Sequence, residues 1–328
     1  MRDFGLFNGS HLSHRRLFPM LVLIALCAGL SGCAAPARES ITPPAASAAT
    51  VTAVQLATAR PTAGISQTPL PAPAATRTVQ PTPLNWQEMP VVPLISARAV
   101  EIYRDGLSRG HNPRAFSKVG DCEARTTWFL ADFDAKKPTY DLGPYAAQLE
   151  PVILYYQGSF DRLSLVARPG FNAASILAPL WADPKLCQQG ETPLGCEYRL
   201  HNPNLALIML GTNDVSRQPA FESNMRKIIE FSISQGVLPV LATKADNLEG
   251  DGSINATIAR LAQEYDVPLW NYGRAVQGLP SGGLQEDGAH LTFGNNNFGD
   301  AAAMQKGWPV RNLTALQTLA VVLETVGE

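Results

Sequence analysis

The sequence has few charged residues and no excess of either sign. Charged side chains make up 16% of the 328 residues, against ~25% in an average soluble domain, and 26 Lys and Arg stand against 28 Asp and Glu. A strongly basic nucleic-acid-binding protein and a highly acidic disordered chain are therefore both excluded. The chain also has no internal repeat and no Cys-x-x-Cys pair, which disfavours a thiol redox protein.

The chain also lacks an apolar run of the length that a membrane-spanning helix needs. The longest candidate near the N-terminus, Leu17–Leu30, is interrupted by Pro19 and is shorter than the ~20 residues that span a bilayer. Arg15 and Arg16 precede it. A basic start, a short apolar stretch and small residues after it predict a secretory signal peptide over residues 1–32.

The end of this segment, Leu30-Ser31-Gly32-Cys33, resembles the lipobox of bacterial lipoproteins. The resemblance implies that Cys33 becomes the lipidated first residue of the mature chain. The protein would then be held at the cell membrane by lipid and face the extracytoplasmic side. A plain signal peptide and an uncleaved anchor are the alternatives. All three interpretations place the body of the protein outside the cytoplasm.

Residues 33–93 are predicted to form a disordered linker. Of the 57 residues from 34 to 90, 36 are Ala, Pro, Thr or Ser and only five are charged. Such a stretch has too few large apolar side chains to offset the entropy lost on ordering, and its prolines keep it extended. One folded domain is expected over residues 94–328.

The sequence pattern of the folded domain predicts an α/β fold. Short apolar segments that predict strands alternate with amphipathic helical segments, which indicates a doubly wound, mainly parallel sheet with helices on both faces. We expect five strands, at Ala115–Val119, Leu163–Ala167, Leu205–Leu210, Val237–Ala242 and Val267–Trp270.

Chemically capable residues follow several of these strands. They are Gly120-Asp121-Cys122, Gly170, Gly211-Thr212-Asn213-Asp214 and, in a glycine-rich loop near the end, Asp287-Gly288-Ala289-His290. In open parallel sheets, ligands bind beyond the carboxyl ends of the strands. The sequence therefore predicts one site formed by these segments.

Together, and in this order, the four segments resemble the SGNH/GDSL hydrolase family. The resemblance implies a three-layer flavodoxin-like fold and cleavage of carboxylic esters through a covalent acyl-enzyme, without a metal or an organic cofactor. Cys122 takes the place of the nucleophile, His290 that of the base and Asp287 that of the residue that orients the imidazole. Gly170 and Asn213 take the place of the oxyanion-hole donors.

The sequence departs from the family's Gly-Asp-Ser pattern, because Cys122 replaces the serine. Thiolates are strong nucleophiles and an adjacent imidazole can activate a thiol, so a Cys-His-Asp triad is chemically sound. The expected substrate is then a small or polymer-linked ester of a carbohydrate or a lipid, and no nucleic acid partner is expected. The alternative is a catalytically silent domain that binds a glycan or an envelope polymer in the same cleft.

Cys187 and Cys196 are nine residues apart in a turn-rich segment. In an exported protein this spacing favours a disulfide. Two unpaired thiols remain an alternative, and a metal site is disfavoured because no histidine is nearer in sequence than His201. The pairing would leave Cys122 as a free thiol.

Four aromatic residues could either pack in the core or stack on a sugar, and core packing is favoured for each of them: Trp128, Phe171, Trp181 and Trp270.

Overall fold

The computed structural model describes residues 85–327. The signal peptide expected over residues 1–32, the expected lipidation site Cys33 and the first part of the linker lie outside the described residues. In the described part, no helix combines the length and the apolar character needed to cross a membrane.

The described chain alternates helices and strands, with several short 3₁₀ turns between them. The strands are β1 Asn112–Gly120, β2 Pro203–Met209, β3 Leu238–Ala242 and β4 Leu269–Trp270. The helices are α1 Ala97–Ser108, α2 Cys122–Arg125, α3 Ala146–Tyr155, α4 Ala173–Ile176, α5 Pro193–His201, α6 Gln218–Ser234, α7 Ser253–Glu264, α8 Tyr272–Val276 and α9 Gly307–Val326.

The four strands form one parallel sheet in the order β1-β2-β3-β4. Every residue of β2 and β3 is buried, as expected for strands covered on both faces. Gly120 pairs with Met209 at the carboxyl ends of β1 and β2, so the segments that follow these two strands begin side by side. The predicted parallel α/β fold is confirmed.

Helices cover the sheet in two groups. In the first, α1 and α3 each contact α9, and α1 also packs on β2 and β3. In the second, α4 contacts α5 and α6, and α6 contacts α7 and β3. The apolar core lies between the helices and the strands, and Trp270 and Phe116 are among its largest fully buried side chains.

The prediction of five strands is wrong for the segment 163–167. This segment makes only an isolated parallel bridge, between Ala167 and Gly120. The N–H of Leu165 donates to Glu197 Oε2 at 2.8 Å rather than to a neighbouring strand, and the N–H of Ala167 turns back to the carbonyl of Ser164. The segment therefore curls away after one bridge, but it still lies at the outer edge of β1.

The packed region begins ahead of the sequence boundary at Leu94. Trp86 is buried, and the buried side chain of Asn271 donates to the carbonyls of Trp86 and Met89 at 2.6 and 3.1 Å. The N–H of Asn271 donates to the carbonyl of Val91. Residues 86–91, assigned to the linker from composition, are thus held against the start of α8 by hydrogen bonds that composition does not reveal.

Glu197 is a carboxylate buried under β1. Its side chain has no exposed surface, and its Oε1 accepts the hydroxyl of Ser117 at 2.6 Å and lies 2.9 Å from Arg162 Nη2. Its Oε2 accepts the N–H of Leu165. One side chain of α5 therefore joins β1, the curled 163–167 segment and an arginine.

We predict that Glu197→Ala lowers the free energy of unfolding by about 3–5 kcal/mol, because it leaves Arg162 and two hydrogen-bond donors without their partner. Urea unfolding followed by circular dichroism measures the loss. Glu101→Ala is the control, since the exposed Glu101–Arg98 pair should contribute less than about 0.5 kcal/mol. A loss below about 1 kcal/mol for Glu197→Ala would contradict the structural role.

Candidate active site

The turn after β1 presents Cys122 at the start of a short helix. Asp121 Oδ1 accepts the N–H of Glu123 at 3.0 Å and so caps α2. A Cβ on Gly120 would lie 2.4 Å from the carbonyl oxygen of Met209, so only glycine allows β1 and β2 to approach this closely before the turn. The nucleophile candidate is therefore fixed by strand pairing on one side and by a helix cap on the other.

Cys122, His290 and Asp287 lie together as a hydrogen-bonded row. Cys122 Sγ is 3.6 Å from His290 Nε2, and His290 Nδ1 is 2.6 Å from Asp287 Oδ2. Asp287 Oδ1 also accepts the N–H groups of Ala289 and His290, each at 3.0 Å. The loop backbone thus fixes the Asp287 carboxylate, and the carboxylate orients the imidazole of His290. The Nε2 atom of the imidazole then faces the thiol.

The carboxylate and the imidazole stabilise each other's charged forms. Hydrogen bonds from the backbone N–H groups of His290 and Ala289, followed by the imidazole, lower the pKa of Asp287 to about 2. The hydrogen bond to Asp287 raises the pKa of His290 above its ordinary value. With Nδ1–H donating to Asp287, neutral His290 has a free acceptor at Nε2, as a general base requires.

The thiol of Cys122 is held in its neutral form. Burial, followed by the nearby negative charges of Asp121 and Glu123, raises its pKa to about 11. A standing thiolate–imidazolium pair is therefore disfavoured at neutral pH. The arrangement fits a thiol that gives up its proton to His290 only as it attacks.

Gly170 and Asn213 lie on two segments that are bound to each other. Asn213 Nδ2 donates to the carbonyl of Phe171, next to Gly170, at 3.0 Å, and Asp214 accepts the N–H of Ala173 at 3.1 and 3.3 Å. Gly170 is exposed and has a positive φ of 78°, with no atom within 4 Å of where a Cβ would stand. Gly170 and Asn213 are therefore both exposed, and hydrogen bonds hold their two segments together.

Two residue groups around the site are not apparent from the sequence. Glu123 Oε1 accepts the N–H of Leu291, next to His290, at 2.8 Å. Thr212 donates to Asp246 Oδ2 at 2.7 Å, and Lys244 Nζ lies 2.6 Å from Asp246 Oδ1. Neither Glu123 on its short helix nor the pair Lys244 and Asp246 carries a sequence signal that separates it from ordinary surface residues.

The aromatic residues divide into core and surface. Trp270 and Phe171 are buried, as expected. The expectation of core packing is wrong for Trp128 and Trp181, which are 41% and 51% exposed. Trp128 pairs instead with Phe293, itself 52% exposed, at a centroid distance of 4.8 Å. The Trp128–Phe293 pair joins the segment after α2 to the loop after His290.

The predicted disulfide is present. Cys187 and Cys196 are joined, with an S–S distance of 2.09 Å, and Cys122 is the free cysteine of residues 85–327. Glu191 lies beside the two sulfurs in the one cluster of that region with metal-ligand spacing. Because both sulfurs are oxidised to the bridge, they are not available as thiolate ligands.

No family model matches the chain, and no curated protein does. Among solved structures, the chain is similar to a psychrotrophic esterase from Pseudoalteromonas sp. (12% identity, 66% of this chain, 100% of that chain, TM-score 0.40). It is also similar to a GDSL-like lipase from Bacteroides thetaiotaomicron (14% identity, 69% of this chain, 99% of that chain, TM-score 0.38). An acetylxylan esterase from Geobacillus stearothermophilus is similar too (14% identity, 62% of this chain, 93% of that chain, TM-score 0.37). Two of these three proteins are named as esterases and one as a lipase.

We predict that alkylation of Cys122 by iodoacetamide accelerates roughly tenfold per pH unit from pH 7 to 10, because the thiolate fraction rises toward a pKa of about 11. Mass spectrometry of the peptide that contains Cys122 separates this thiol from any other. A rate that levels off below pH 8 would instead indicate a thiolate paired with protonated His290.

Proposed function

We propose that this chain is an ester hydrolase of the SGNH type that works through a Cys122–His290–Asp287 triad. The observation that supports it is the continuous row from Cys122 Sγ through the imidazole to Asp287, at 3.6 and 2.6 Å. The row joins residues 168 positions apart in the chain. Nucleophile, base and orienting carboxylate in hydrogen-bond order are what acyl transfer requires.

In the first half-reaction, His290 Nε2 takes the thiol proton as Cys122 Sγ attacks the ester carbonyl carbon. The oxyanion is received by the N–H groups of Cys122 and Gly170 and by the Asn213 amide hydrogen that is not bonded to Phe171. Each such donor typically lowers the barrier by ~3 kcal/mol. The C–O bond then breaks, and the imidazolium returns the proton to the leaving alcohol. A thioester between the acyl group and Cys122 remains.

In the second half-reaction, water attacks the thioester carbonyl while His290 takes a proton from it. Collapse of the second oxyanion breaks the C–S bond, the carboxylic acid leaves and the thiol regains its proton. Because Cys122 is a neutral thiol at rest, His290 has to be unprotonated at the start. Turnover should therefore rise with pH through the elevated pKa of His290.

The proposed substrates are esters with a short acyl group and a bulky alcohol, such as acetylated carbohydrates. The cavity beside the nucleophile turn is lined by the charged side chains of Asp121, Glu123, Lys244, Asp246 and Arg311, among others. Met209, Leu210 and Tyr272 line it as well, but its free volume of about 20 Å³ has room for about one water molecule, so a long acyl chain does not fit there. The imidazole is 53% exposed, so a large alcohol or a polymer can reach the triad.

A silent binding domain on the same fold is the second candidate. It is favoured by the neutral, carboxylate-flanked thiol, since a pKa of about 11 makes Cys122 a slower nucleophile than the activated cysteines of known enzymes. In this candidate the exposed Trp128–Phe293 pair would contact a glycan or another envelope polymer. The two candidates predict opposite outcomes for the serine variant.

The sequence supports a proposal for location as well. We infer that Cys33 carries the lipid anchor of an extracytoplasmic protein, and that the proline-rich stretch after it holds the catalytic domain away from the membrane. Wild-type protein should enter the detergent phase of a Triton X-114 partition, and Cys33→Ala should leave the precursor unlipidated, which intact-mass analysis detects. Wild-type protein in the aqueous phase would contradict the proposal.

We predict that incubation with p-nitrophenyl acetate adds one acetyl group to Cys122, seen by intact-mass and peptide analysis. Cys122→Ala should abolish the adduct, and His290→Ala should lower kcat on the order of 10³-fold. Under the hydrolase proposal Cys122→Ser loses activity, because the hydroxyl is harder to deprotonate. An inert wild type with an active serine variant would instead identify a silenced site.

A further inference from the structure

Glu123 connects the nucleophile turn to the loop that carries the base. It follows Cys122 directly on α2, and its Oε1 accepts the N–H of Leu291, the residue after His290, at 2.8 Å. Its Oε2 accepts Arg311 Nη1 of α9 at 2.8 Å. One carboxylate therefore bridges α2, the His290 loop and α9.

Arg311 is itself held firmly. Its guanidinium lies over the rings of Phe129, Tyr272 and Trp308, with centroid distances of 4.9, 5.4 and 5.6 Å. Arg311 is only 5% exposed, so the Glu123–Arg311 pair is shielded from solvent. A buried, stacked and ion-paired arginine has little freedom to move, which fixes the carboxylate that it holds.

We propose that Glu123 is a positioning residue that sets the separation of Cys122 Sγ and His290 Nε2. The role rests on the proposed hydrolase function. The thiol–imidazole pair itself, at 3.6 Å, is a second direct contact between the two triad segments. A shift of about 1 Å in a catalytic pair lowers turnover on the order of 10²-fold.

Glu123 also contributes charge to the pair. The charged groups that act on His290 are Asp287, Glu123 and Asp121, and each favours the imidazolium. The Glu123 and Asp121 carboxylates also disfavour the thiolate of Cys122. Position and charge are therefore two separable effects of one side chain, and different substitutions test them.

Glu123→Asp keeps the charge but withdraws the carboxylate by about 1.5 Å, one C–C bond. We expect faster exchange of the Leu291 amide hydrogen by at least tenfold, kcat on the proposed acetyl ester lower by 10- to 100-fold, and KM within about twofold. The pH midpoint of Cys122 alkylation should stay where it is in the wild type.

Glu123→Gln tests the charge alone. Its amide oxygen still reaches the Leu291 N–H, but the negative charge is lost. Leu291 exchange should stay slow, and the midpoint of Cys122 alkylation should move to lower pH. Because the single change leaves Arg311 buried without a partner, Glu123→Gln/Arg311→Met is measured beside it and should unfold like the wild type. Glu286→Gln, an exposed glutamate of the same loop, is the matched control and should change none of these readouts.

The outcomes separate the two proposals. An inert wild type defeats the hydrolase function, whatever the Leu291 amide does. An active wild type whose Glu123→Asp variant keeps full kcat, or keeps slow exchange at Leu291, overturns the positioning role alone. An alkylation midpoint that does not move in Glu123→Gln overturns the contribution of charge.

Discussion

The pairing of β1 with β2 at their carboxyl ends is the constraint on which the site depends. Gly120 lies opposite Met209 and also bridges to Ala167 on its other side. The nucleophile turn, the Gly211–Asp214 turn and the segment leading to Gly170 therefore leave the sheet at one level. A side chain larger than hydrogen at Gly120 would collide with the Met209 carbonyl and separate the three.

The sequence was informative where chemistry and strand ends coincide. Cys122, Asp287 and His290 were predicted to meet because their motifs follow strands or a glycine-rich loop, and the structure places them in contact. The disulfide was predicted from the spacing of its cysteines in a turn-rich segment and from the expected export of the protein. Asn213 and Gly170 lie on neighbouring segments as expected, since both follow predicted strands.

Other features depend on long-range partners that a single sequence does not display. The apolar pattern at 163–167 is that of a strand, but the Glu197 carboxylate takes the N–H that a ladder would use. Residues 86–91 have a linker's composition, yet Asn271 binds their carbonyls. Glu123 shows its importance only when Leu291 and Arg311 are seen on either side of it.

The Cys187–Cys196 bridge closes a span of nine residues. In the chain-entropy view, so short a loop restricts the unfolded state by only about 2.5 kcal/mol. It also acts locally, because it joins the segment that follows Trp181 to Cys196 of α5. The Trp181 carbonyl accepts Arg168 Nη1 at 3.1 Å, two residues before Gly170, and Glu197 of α5 is buried under β1. The bridge thus ties the segment beside Gly170 to the helix that holds the outer strand of the sheet.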